Sequence, residues 1–277
     1  MIIGNTGLTD YALLDCGEGE KLERFGDFKI IRPDPRAIWQ KSQPSIWNKA
    51  DAVFRGEKWE KKLPLSEWRC GGMILRLTEF RHVGMFPEQA ENWEYVKKQI
   101  VISKYKYKIL NLFAYTGGAT LAVAKAGAHV THVDSSRPAL SWASENFKIN
   151  KLPVDRVRWI QDDAVKFVQR EIRRGVKYDG IIMDPPRFGR GAGGQVWKLE
   201  EDLPKLMDLC RQTLSEAPLF WLINAYTADL SPIAIGQVLE DSTRSLGGQV
   251  SFDELVIEQE DKKRLLPAGI VARWSKN

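Results

Sequence analysis

From residue 106 onward, short apolar runs alternate with longer amphipathic segments. The runs have the continuous hydrophobicity of strands buried on both faces, and the segments between them have helical spacing. The predicted strands lie at 108–114, 128–134, 157–161, 178–184, 218–224, 252–260 and 267–274, and the predicted helices at 118–126, 137–149, 163–174, 200–215 and 231–246. This alternation predicts an α/β fold with a mostly parallel, seven-stranded sheet and helices on both faces.

The first 86 residues have a different pattern, rich in Gly, Pro and Trp. Turn signals separate short stretches of alternating apolar and polar residues, which lie at 11–15, 28–31 and 73–77. We interpret residues 1–86 as a small β-rich N-terminal domain. A helix predicted to begin near Pro87 opens the second domain, residues 87–277, which holds the alternating strands and helices.

The composition is that of an ordinary globular protein, with 43% hydrophobic and 28% charged residues. No run approaches the roughly 18 consecutive apolar residues of a membrane span. The first residues lack the basic and then apolar layout of a signal peptide. We therefore expect a cytoplasmic protein that has no membrane partner.

The cysteines and histidines are far apart in the sequence and show no metal-ligand spacing. They are Cys16, Cys70 and Cys210, and His82, His129 and His132. Isolated cysteines of this kind are typical of buried thiols in a reducing compartment. We expect no metal site.

The formal net charge of +5 is unevenly distributed. Residues 1–95 contain 14 Lys and Arg against 15 Asp and Glu, whereas residues 96–277 contain 27 against 21. The basic excess therefore lies in the second part of the chain. It is compatible with a polyanionic partner such as RNA, and a solvated surface explains it equally well.

The segment 109–120 joins an apolar run to two glycines, Gly117 and Gly118, and then to an alanine-rich helical pattern. A strand, a tight turn and a helix start place backbone N–H groups at the carboxyl end of the sheet. Open α/β sheets bind nucleotide-like ligands at this edge. The same arrangement also occurs as plain architecture, so the segments that follow decide its role.

Two acidic residues follow the next two predicted strands. Asp134 ends the second strand and is placed to accept hydrogen bonds from the ribose hydroxyls of a nucleoside ligand. Its structural alternative is to cap the helix near Pro138, a role that Ser135 or Ser136 can also fill. Asp163 follows the third strand, where capping a helix and binding an adenine amino group are equally compatible with the spacing.

The fourth strand ends in Asp184, Pro185 and Pro186. Two prolines remove two backbone donors and stiffen the chain. The carbonyls of Asp184 and Pro185 are then expected to point into the cleft as rigid acceptors. Such acceptors can bind an amine or orient the edge of a base.

Taken together, these segments resemble class I S-adenosylmethionine-dependent methyltransferases, and within them the bacterial 23S ribosomal RNA methyltransferase family. That family shares an N/C-x-F-x-Y-T-G-G segment, V-D-x-S, D-D and D-P-P-x-F, which this chain matches at 111–118, 133–136, 162–163 and 184–188. The resemblance covers residues 86–277. It implies the Rossmann-like methyltransferase fold and S-adenosylmethionine as the cofactor.

The resemblance also implies roles for the matched residues. It assigns the methionine end of the cofactor to Phe113, Tyr115, Thr116 and Gly117, the ribose to Asp134, the adenine to Asp163, and the region of the methyl group to Asp184 and Pro185. Asn111 and Ser135 complete the expected cofactor site. The expected catalytic residues are Asp184, Pro185, Pro186 and Phe188.

A further match precedes the first strand of the sheet. The segment from Phe86 to Gln89 resembles a short F-x-D-Q element that touches the cofactor in these enzymes. Here the acid is Glu88, and Ala90 replaces the arginine that usually follows. Gln89 is therefore the residue expected to contact the cofactor.

The departures from the family pattern bear on the acceptor. Cytosine C5 methylation needs a thiolate, and related enzymes carry that Cys after the fifth strand. This chain has Asn224 to Thr227 there, and Cys210 lies earlier in a helix, as a core residue. Cytosine C5 chemistry is therefore disfavoured.

The residue after the second proline is Arg187, where exocyclic-amine methyltransferases place an aromatic residue that stacks on a flipped base. Either Phe188 stacks on the base, or the guanidinium plane of Arg187 does. The glycine-rich loop 189–194, with Arg190, is compatible with a phosphate clamp or lid and equally with a surface loop.

The function expected from the sequence is transfer of a methyl group to a base of ribosomal RNA without a cysteine nucleophile. Methyl transfer depends on positioning, which explains why no catalytic triad is visible. Three alternatives stay open: a small-molecule or protein methyltransferase, a transfer-inactive RNA-binding relative, and a nicotinamide-dependent oxidoreductase. The oxidoreductase is disfavoured because the turn lacks G-x-G-x-x-G spacing. The methylated atom and the oligomeric state are left open.

Overall fold

The computed structural model describes residues 2–4, 7–100, 106–190, 196–227 and 229–276. Its internal contacts divide the chain into two units. One comprises residues 92–254 and 269–277, and the other comprises residues 2–91 and 255–268. The boundary after residue 86 stays a prediction, and segment 255–268 groups with the N-terminal residues because Leu255–Ile257 pair with Ile2–Gly4 in a parallel ladder.

The N-terminal unit is rich in β-structure, as the sequence predicts. Its elements are β1 (Ile2–Gly4), β2 (Tyr11–Gly17), β3 (Glu20–Phe25), β4 (Phe28–Pro33), α1 (Pro44–Trp47), β5 (Ala52–Arg55), β6 (Lys58–Lys61), β7 (Trp68–Cys70) and β8 (Met73–Leu75). Strands β2 to β6 form a five-stranded sheet in chain order, and β7 pairs with β8. A 3-10 turn, Pro87–Gln89, follows.

The second unit contains the alternating elements. They are α2 (Ala90–Gln99), β9 (Lys108–Leu112), α3 (Gly118–Lys125), β10 (His129–Asp134), α4 (Arg137–Ile149), β11 (Val157–Gln161), α5 (Ala164–Arg173), β12 (Gly180–Met183), β13 (Phe188–Arg190), β14 (Val196–Lys198), α6 (Leu199–Arg211), β15 (Phe220–Ala225), α7 (Pro232–Thr243), β16 (Gln249–Glu258) and β17 (Leu265–Ser275). Helix α2 begins two residues before this unit, and β16 and β17 each run through both units.

The sheet has the order β16-β17-β15-β12-β9-β10-β11, with β1 paired to β16. Strands β9, β10, β11, β12 and β15 pair in parallel, and β17 runs antiparallel to β15. The expected seven-stranded, mostly parallel sheet is thus confirmed. Strand β1 adds a short eighth strand.

Successive residues of β9 contribute to opposite faces of the sheet. Leu110 and Leu112 belong to a core cluster with apolar residues of α5, α6 and α7. Between them, Asn111 donates a hydrogen bond to Thr120 of α3. Helices α3 and α4 contact each other, as do α5 and α6, and α6 and α7. The sheet therefore has helices on both faces.

The hairpin β13–β14 differs from the predicted glycine-rich loop. Phe188–Arg190 pair antiparallel with Val196–Lys198, so the segment begins and ends as a ribbon. Residues 191–194 of the predicted loop lie outside the described residues. The indole N–H of Trp197 in β14 also donates to the Pro186 carbonyl at 2.7 Å, which adds a side-chain tie to the ribbon.

Two further findings concern the described residues only. None of the helices among them is long and apolar enough to cross a membrane. No cluster of three or more His, Cys, Asp or Glu side chains suited to a metal ion is found in this part of the chain.

A buried glycine tests the packing of the sheet. An ideal Cβ at Gly180 would lie 2.7 Å from Cε1 of Phe220 and 3.0 Å from Cδ1 of Ile109. We therefore expect Gly180→Ala to lower the free energy of unfolding by about 1–3 kcal/mol, measured by urea denaturation. At Gly189 the nearest atom would lie 3.6 Å away, so Gly189→Ala is the matched control and should cause no loss. Equal stability of both variants would contradict this packing.

Candidate functional site

The carboxyl ends of five parallel strands meet at one edge of the sheet. In the ladders, Leu112 is the partner of both Val133 and Met183, and Met183 is the partner of Ile223. Asp134 is in register with Gln161. The residues that follow these positions therefore share one edge, where the sequence places its candidate site.

The turn after β9 has an unusual backbone. Phe113, Tyr115 and Gly117 all have positive φ angles, of 56°, 47° and 86°. Non-glycine residues rarely adopt this region, and such strain clusters at functional sites. The N–H of Ala114 donates to the Val133 carbonyl at 3.1 Å, and the N–H of Gly117 donates to the Ala114 carbonyl at 3.0 Å. The turn is thus fixed to β10 and to itself.

Asp134 ties this turn to the start of α4. One carboxylate oxygen accepts the Tyr115 N–H, and the other accepts the Ser136 N–H, each at 2.8 Å. The Ser136 hydroxyl in turn caps α4 by accepting the Ala139 N–H at 3.3 Å. The cap is therefore Ser136, and Asp134 remains at the strand end. Ser135 is exposed beside it.

The Asp134 carboxyl is only partly accessible. Burial raises its pKa, and the hydrogen bonds from the Ser136 and Tyr115 N–H groups act in the opposite direction. A carboxylate that already organises two backbone donors is a fixed hydrogen-bond acceptor. It has the chemistry needed to hold a pair of ribose hydroxyl groups.

A buried polar chain lies beneath the turn. The Asn111 amide donates to Thr120 Oγ1 at 3.0 Å, and Thr120 Oγ1 lies 2.8 Å from His132 Nδ1. Burial lowers the pKa of His132 to about 3, so the ring is neutral at physiological pH. Asn111, a predicted cofactor contact, thus braces α3 against the strands. Its contact with the cofactor stays a prediction.

Helix α4 supports the turn from another side. The buried Asn146 amide donates to the Thr116 carbonyl at 2.9 Å, and the Trp142 ring lies 6.4 Å from that of Tyr115.

Helix α2 approaches the other end of the turn. At Gly118 an added Cβ would lie 2.3 Å from the indole of Trp93 in α2, which explains the absence of a side chain there.

Asp163 occupies the cap position of α5. Its carboxylate accepts the Lys166 N–H at 3.0 Å. Capping, one of the two roles open from the sequence, is therefore seen. Adenine binding by Asp163 stays a prediction.

Asp184 is held by a partner far away in sequence. Asn224, at the end of β15, donates its amide N–H to Asp184 Oδ1 at 2.6 Å. The Asp184 N–H donates to the Leu112 carbonyl at 3.3 Å. Pro185 is buried and Pro186 is exposed, and the carbonyl of Pro186 accepts the Trp197 N–H. The loop is therefore fixed on three sides.

An aromatic side chain projects beside this loop. Phe188 is 55% exposed, whereas Trp197 is half-buried with its ring 5.3 Å from that of Phe113. The Arg187 side chain forms ion pairs with Glu200, at 3.5 Å, and with Asp229. Both residues considered for stacking are exposed, but the Arg187 guanidinium is engaged by two carboxylates.

Gln89 lies in the 3-10 turn of the N-terminal unit. Its side chain is buried, as is that of Glu88. Its contact with the cofactor stays a prediction.

The thiols are all buried. Cys210 lies inside α6 with no exposed surface, as the sequence indicates, and burial raises its pKa well above the usual range. Burial likewise raises the pKa of Cys16 to about 11 and that of Cys70 to about 12. These thiols are not poised as nucleophiles.

Several supporting residues escaped the sequence analysis. They are Trp93, Thr120, His132, Trp142, Asn146, Trp197 and Asn224. Only Asn224 could have been found from the sequence, because it is a polar residue at the end of a buried strand, in the segment where related enzymes carry the Cys. The others are separated in sequence from the groups they contact.

The comparisons with known proteins agree with the geometry. A family model described as S-adenosylmethionine-dependent methyltransferase matches residues 55–216. A solved SAM-dependent methyltransferase from Agrobacterium tumefaciens is 41% identical, with a TM-score of 0.93, covering 98% of this chain and 92% of that one. A candidate SAM-dependent methyltransferase from Streptococcus mutans shares the fold, with 18% identity, a TM-score of 0.74, and coverage of 96% and 75%.

Among curated proteins, Ribosomal RNA large subunit methyltransferase I of Escherichia coli is 28% identical over 239 residues. The match covers 74% of this chain and 55% of that relative. The chain spans between about a third and just over half of the length of the first curated relatives it matches.

Asp134 and Asp184 should differ in their effect on cofactor binding. We expect Asp134→Ala to weaken binding of S-adenosylhomocysteine at least 100-fold, because the variant loses both the expected ribose acceptor and the tie to the turn. Asp184→Asn, the matched control, should bind within a few-fold of the wild type. Isothermal calorimetry measures both, and normal affinity of Asp134→Ala would refute this division.

The buried imidazole predicts a pH dependence of stability. His132 has a pKa of about 3 when folded and an ordinary value of 6.5, so below pH 6.5 only the unfolded chain takes up the proton. Stability should then fall by about 1.4 kcal/mol per pH unit from this residue alone. Urea unfolding of wild type and His132→Phe between pH 7.5 and 5 checks this. Below pH 6.5 the stability of the wild type should fall relative to that of His132→Phe, and curves that stay parallel over this range would exclude the effect.

Proposed function

This chain belongs to the S-adenosylmethionine-dependent methyltransferase family, and we propose that it methylates a base of ribosomal RNA without a cysteine nucleophile. The observation that carries the proposal is the shared edge at which Asp134 organises the glycine turn and Asn224 fixes Asp184. Beside it stands the exposed ring of Phe188.

The residues at this edge fit S-adenosylmethionine. The turn from Phe113 to Gly117 offers a strained, close-approach backbone, and Asp134 offers a fixed carboxylate. When bound, S-adenosylmethionine would supply an activated methyl group, with S-adenosylhomocysteine as the other product. The protein's own task is to align the acceptor with that methyl group and to exclude water. Asp134 holds the ribose, and the turn receives the methionine end.

Asp184 and its loop orient the acceptor. The amide of Asn224 holds one carboxylate oxygen, so the carboxyl group has a defined direction. Pro185 and Pro186 remove backbone N–H groups from the loop, and Trp197 immobilises its last carbonyl. A preorganised acceptor at this place binds hydrogen-bond donors on the edge of a base.

Phe188 provides the stacking surface. An aromatic ring that is 55% exposed next to a catalytic loop has little role in packing. Stacking of an unpaired base on such a ring contributes about 1–3 kcal/mol. The ion pairs of Arg187 with Glu200 and Asp229 support the assignment of stacking to Phe188.

Ribosomal RNA is the acceptor best supported by the relatives. The Escherichia coli protein carries that substrate in its name. The basic excess of residues 96–277 is compatible with it. A cytoplasmic location is part of the same proposal. The burial of Cys16, Cys70 and Cys210 supports chemistry without a covalent thiol intermediate.

The experiment is a transfer assay with tritiated S-adenosylmethionine and ribosomal RNA from a strain lacking this gene. Label should enter this RNA and not fully modified RNA from the wild-type strain. Mass spectrometry of the nucleosides then names the methylated base. A product that is 5-methylcytidine formed through a covalent adduct would refute the thiol-free mechanism. Label in small molecules or protein only would refute the RNA acceptor.

Phe188 gives a sharper test of stacking. We expect Phe188→Ala to lower kcat/KM for RNA by about 10- to 100-fold, as loss of one stacked base would. Phe188→Trp should retain most activity, and both variants should bind S-adenosylhomocysteine like the wild type. Full activity of Phe188→Ala would exclude the stacking role.

A further inference from the structure

Positive charge is concentrated around strand β11 and helix α5. Residues 155–177 contain seven Lys and Arg against four Asp and Glu, a formal excess of three, in a chain of 277 residues with a net charge of +5. Strand β11 is the last strand of its sheet. The excess therefore lies at one edge of the second unit.

The cations of α5 and of its C-cap residue share one face of the helix. Lys166, Arg170, Arg173 and Arg174 follow one another at positions i, i+4, i+7 and i+8, which lie close together on a helix surface. Lys166, Arg173 and Arg174 are exposed, and Arg170 is half-exposed. The face is therefore presented to solvent.

Two arginines are fixed by a shared carboxylate. Glu171 is completely buried and accepts from Arg158 Nη1 at 2.8 Å and from Arg174 Nη1 at 3.2 Å. It also accepts the Tyr178 hydroxyl at 2.7 Å. One carboxylate thus orients two guanidinium groups, which leaves one of their two positive charges uncompensated.

A third arginine lies beside them. The Cζ atoms of Arg158 and Arg170 lie 5.5 and 5.7 Å from the ring centre of Phe167. Arg170 pairs with Asp162, whose N–H donates to the Asp134 carbonyl at 3.1 Å. The cluster therefore continues directly into the edge that carries the cofactor residues.

We propose that this arginine face (Arg158, Lys166, Arg170, Arg173 and Arg174) docks the phosphate backbone of the RNA substrate. The inference rests on the proposed function. Guanidinium groups held in fixed orientation match phosphate oxygens, and phosphate contacts position a nucleic acid without reading its sequence. An RNA strand on this face is led towards the shared edge.

A second explanation of these charges, that they keep the edge strand β11 from pairing with another chain, does not cover the whole arginine face. Charged side chains on the strand itself deter pairing with another chain, and Arg158 can serve that purpose. The cations on the outer face of α5 lie on a helix and protect no edge. Their alignment with Arg158 is what an extended polyanion requires.

The test reverses the charge of two residues of the arginine face that do not bind the buried Glu171 carboxylate. Among the described residues neither Lys166 nor Arg173 forms an ion pair, so the variant is Lys166→Glu with Arg173→Glu. The control is Lys62→Glu with Lys98→Glu, which changes the net charge equally at two exposed positions elsewhere. Both double variants must first match the wild type in thermal stability and, within twofold, in affinity for S-adenosylhomocysteine, so that any loss of RNA binding is not due to misfolding.

Binding of a transcribed ribosomal RNA fragment is measured by fluorescence anisotropy from 50 to 200 mM salt. We expect the face variant to bind at least tenfold more weakly at low salt, with the slope of log K against log salt reduced by about two. The control should stay within about twofold of the wild type. Arg173→Lys, which keeps the charge, should keep the salt slope.

The outcomes separate this inference from the proposed function. If the face variant binds RNA within twofold of the wild type while the wild type methylates it, the face is excluded and the function stands. If the wild type neither binds nor methylates RNA, the function fails and this inference fails with it. Preference of the face for polyglutamate over RNA would assign it to an acidic protein and overturn the proposal.

Discussion

The carboxylate of Asp134 is the contact on which the site depends. It ends a buried strand, yet it accepts hydrogen bonds from the backbone of Tyr115 in one loop and of Ser136 in another. Two loops that belong to different strands are thereby fixed with respect to one strand end. The energetic cost of burying the carboxyl group, seen in its raised pKa, is partly offset by these charge-assisted bonds.

The strained backbone of the turn from Phe113 to Gly117 is held in place by buried hydrogen bonds beneath it. Phe113 and Tyr115 adopt positive φ angles without the freedom of glycine. Thr120 bridges Asn111 and His132 below, so the first turn of α3 is anchored to two strands. Because the imidazole is buried and neutral, this anchor does not change its charge near neutral pH. A rigid turn is what close approach of a cofactor demands.

The acceptor side is organised differently, by side chains from later elements. Asn224 aims the carboxyl group of Asp184, and Trp197 holds the carbonyl of Pro186. Phe188, two residues after Pro186, is left exposed. On the same unit, two arginines share the buried Glu171. In the proposed function, the cofactor would be held by the turn backbone and the Asp134 carboxylate, and the acceptor would be recognised by exposed side chains.

The sequence by itself determined the alternating fold and the position of Asp134 and Asp184 at strand ends. Buried parallel strands and tight turns leave a local signal in hydrophobicity and glycine, and parallel strands bring their ends to one edge. The tertiary structure decided the rest. Asn224 meets Asp184 across 40 residues, segment 255–268 groups with the N-terminal unit, and the glycine-rich loop starts as a ribbon. These contacts depend on strand order and register, which short-range patterns do not specify.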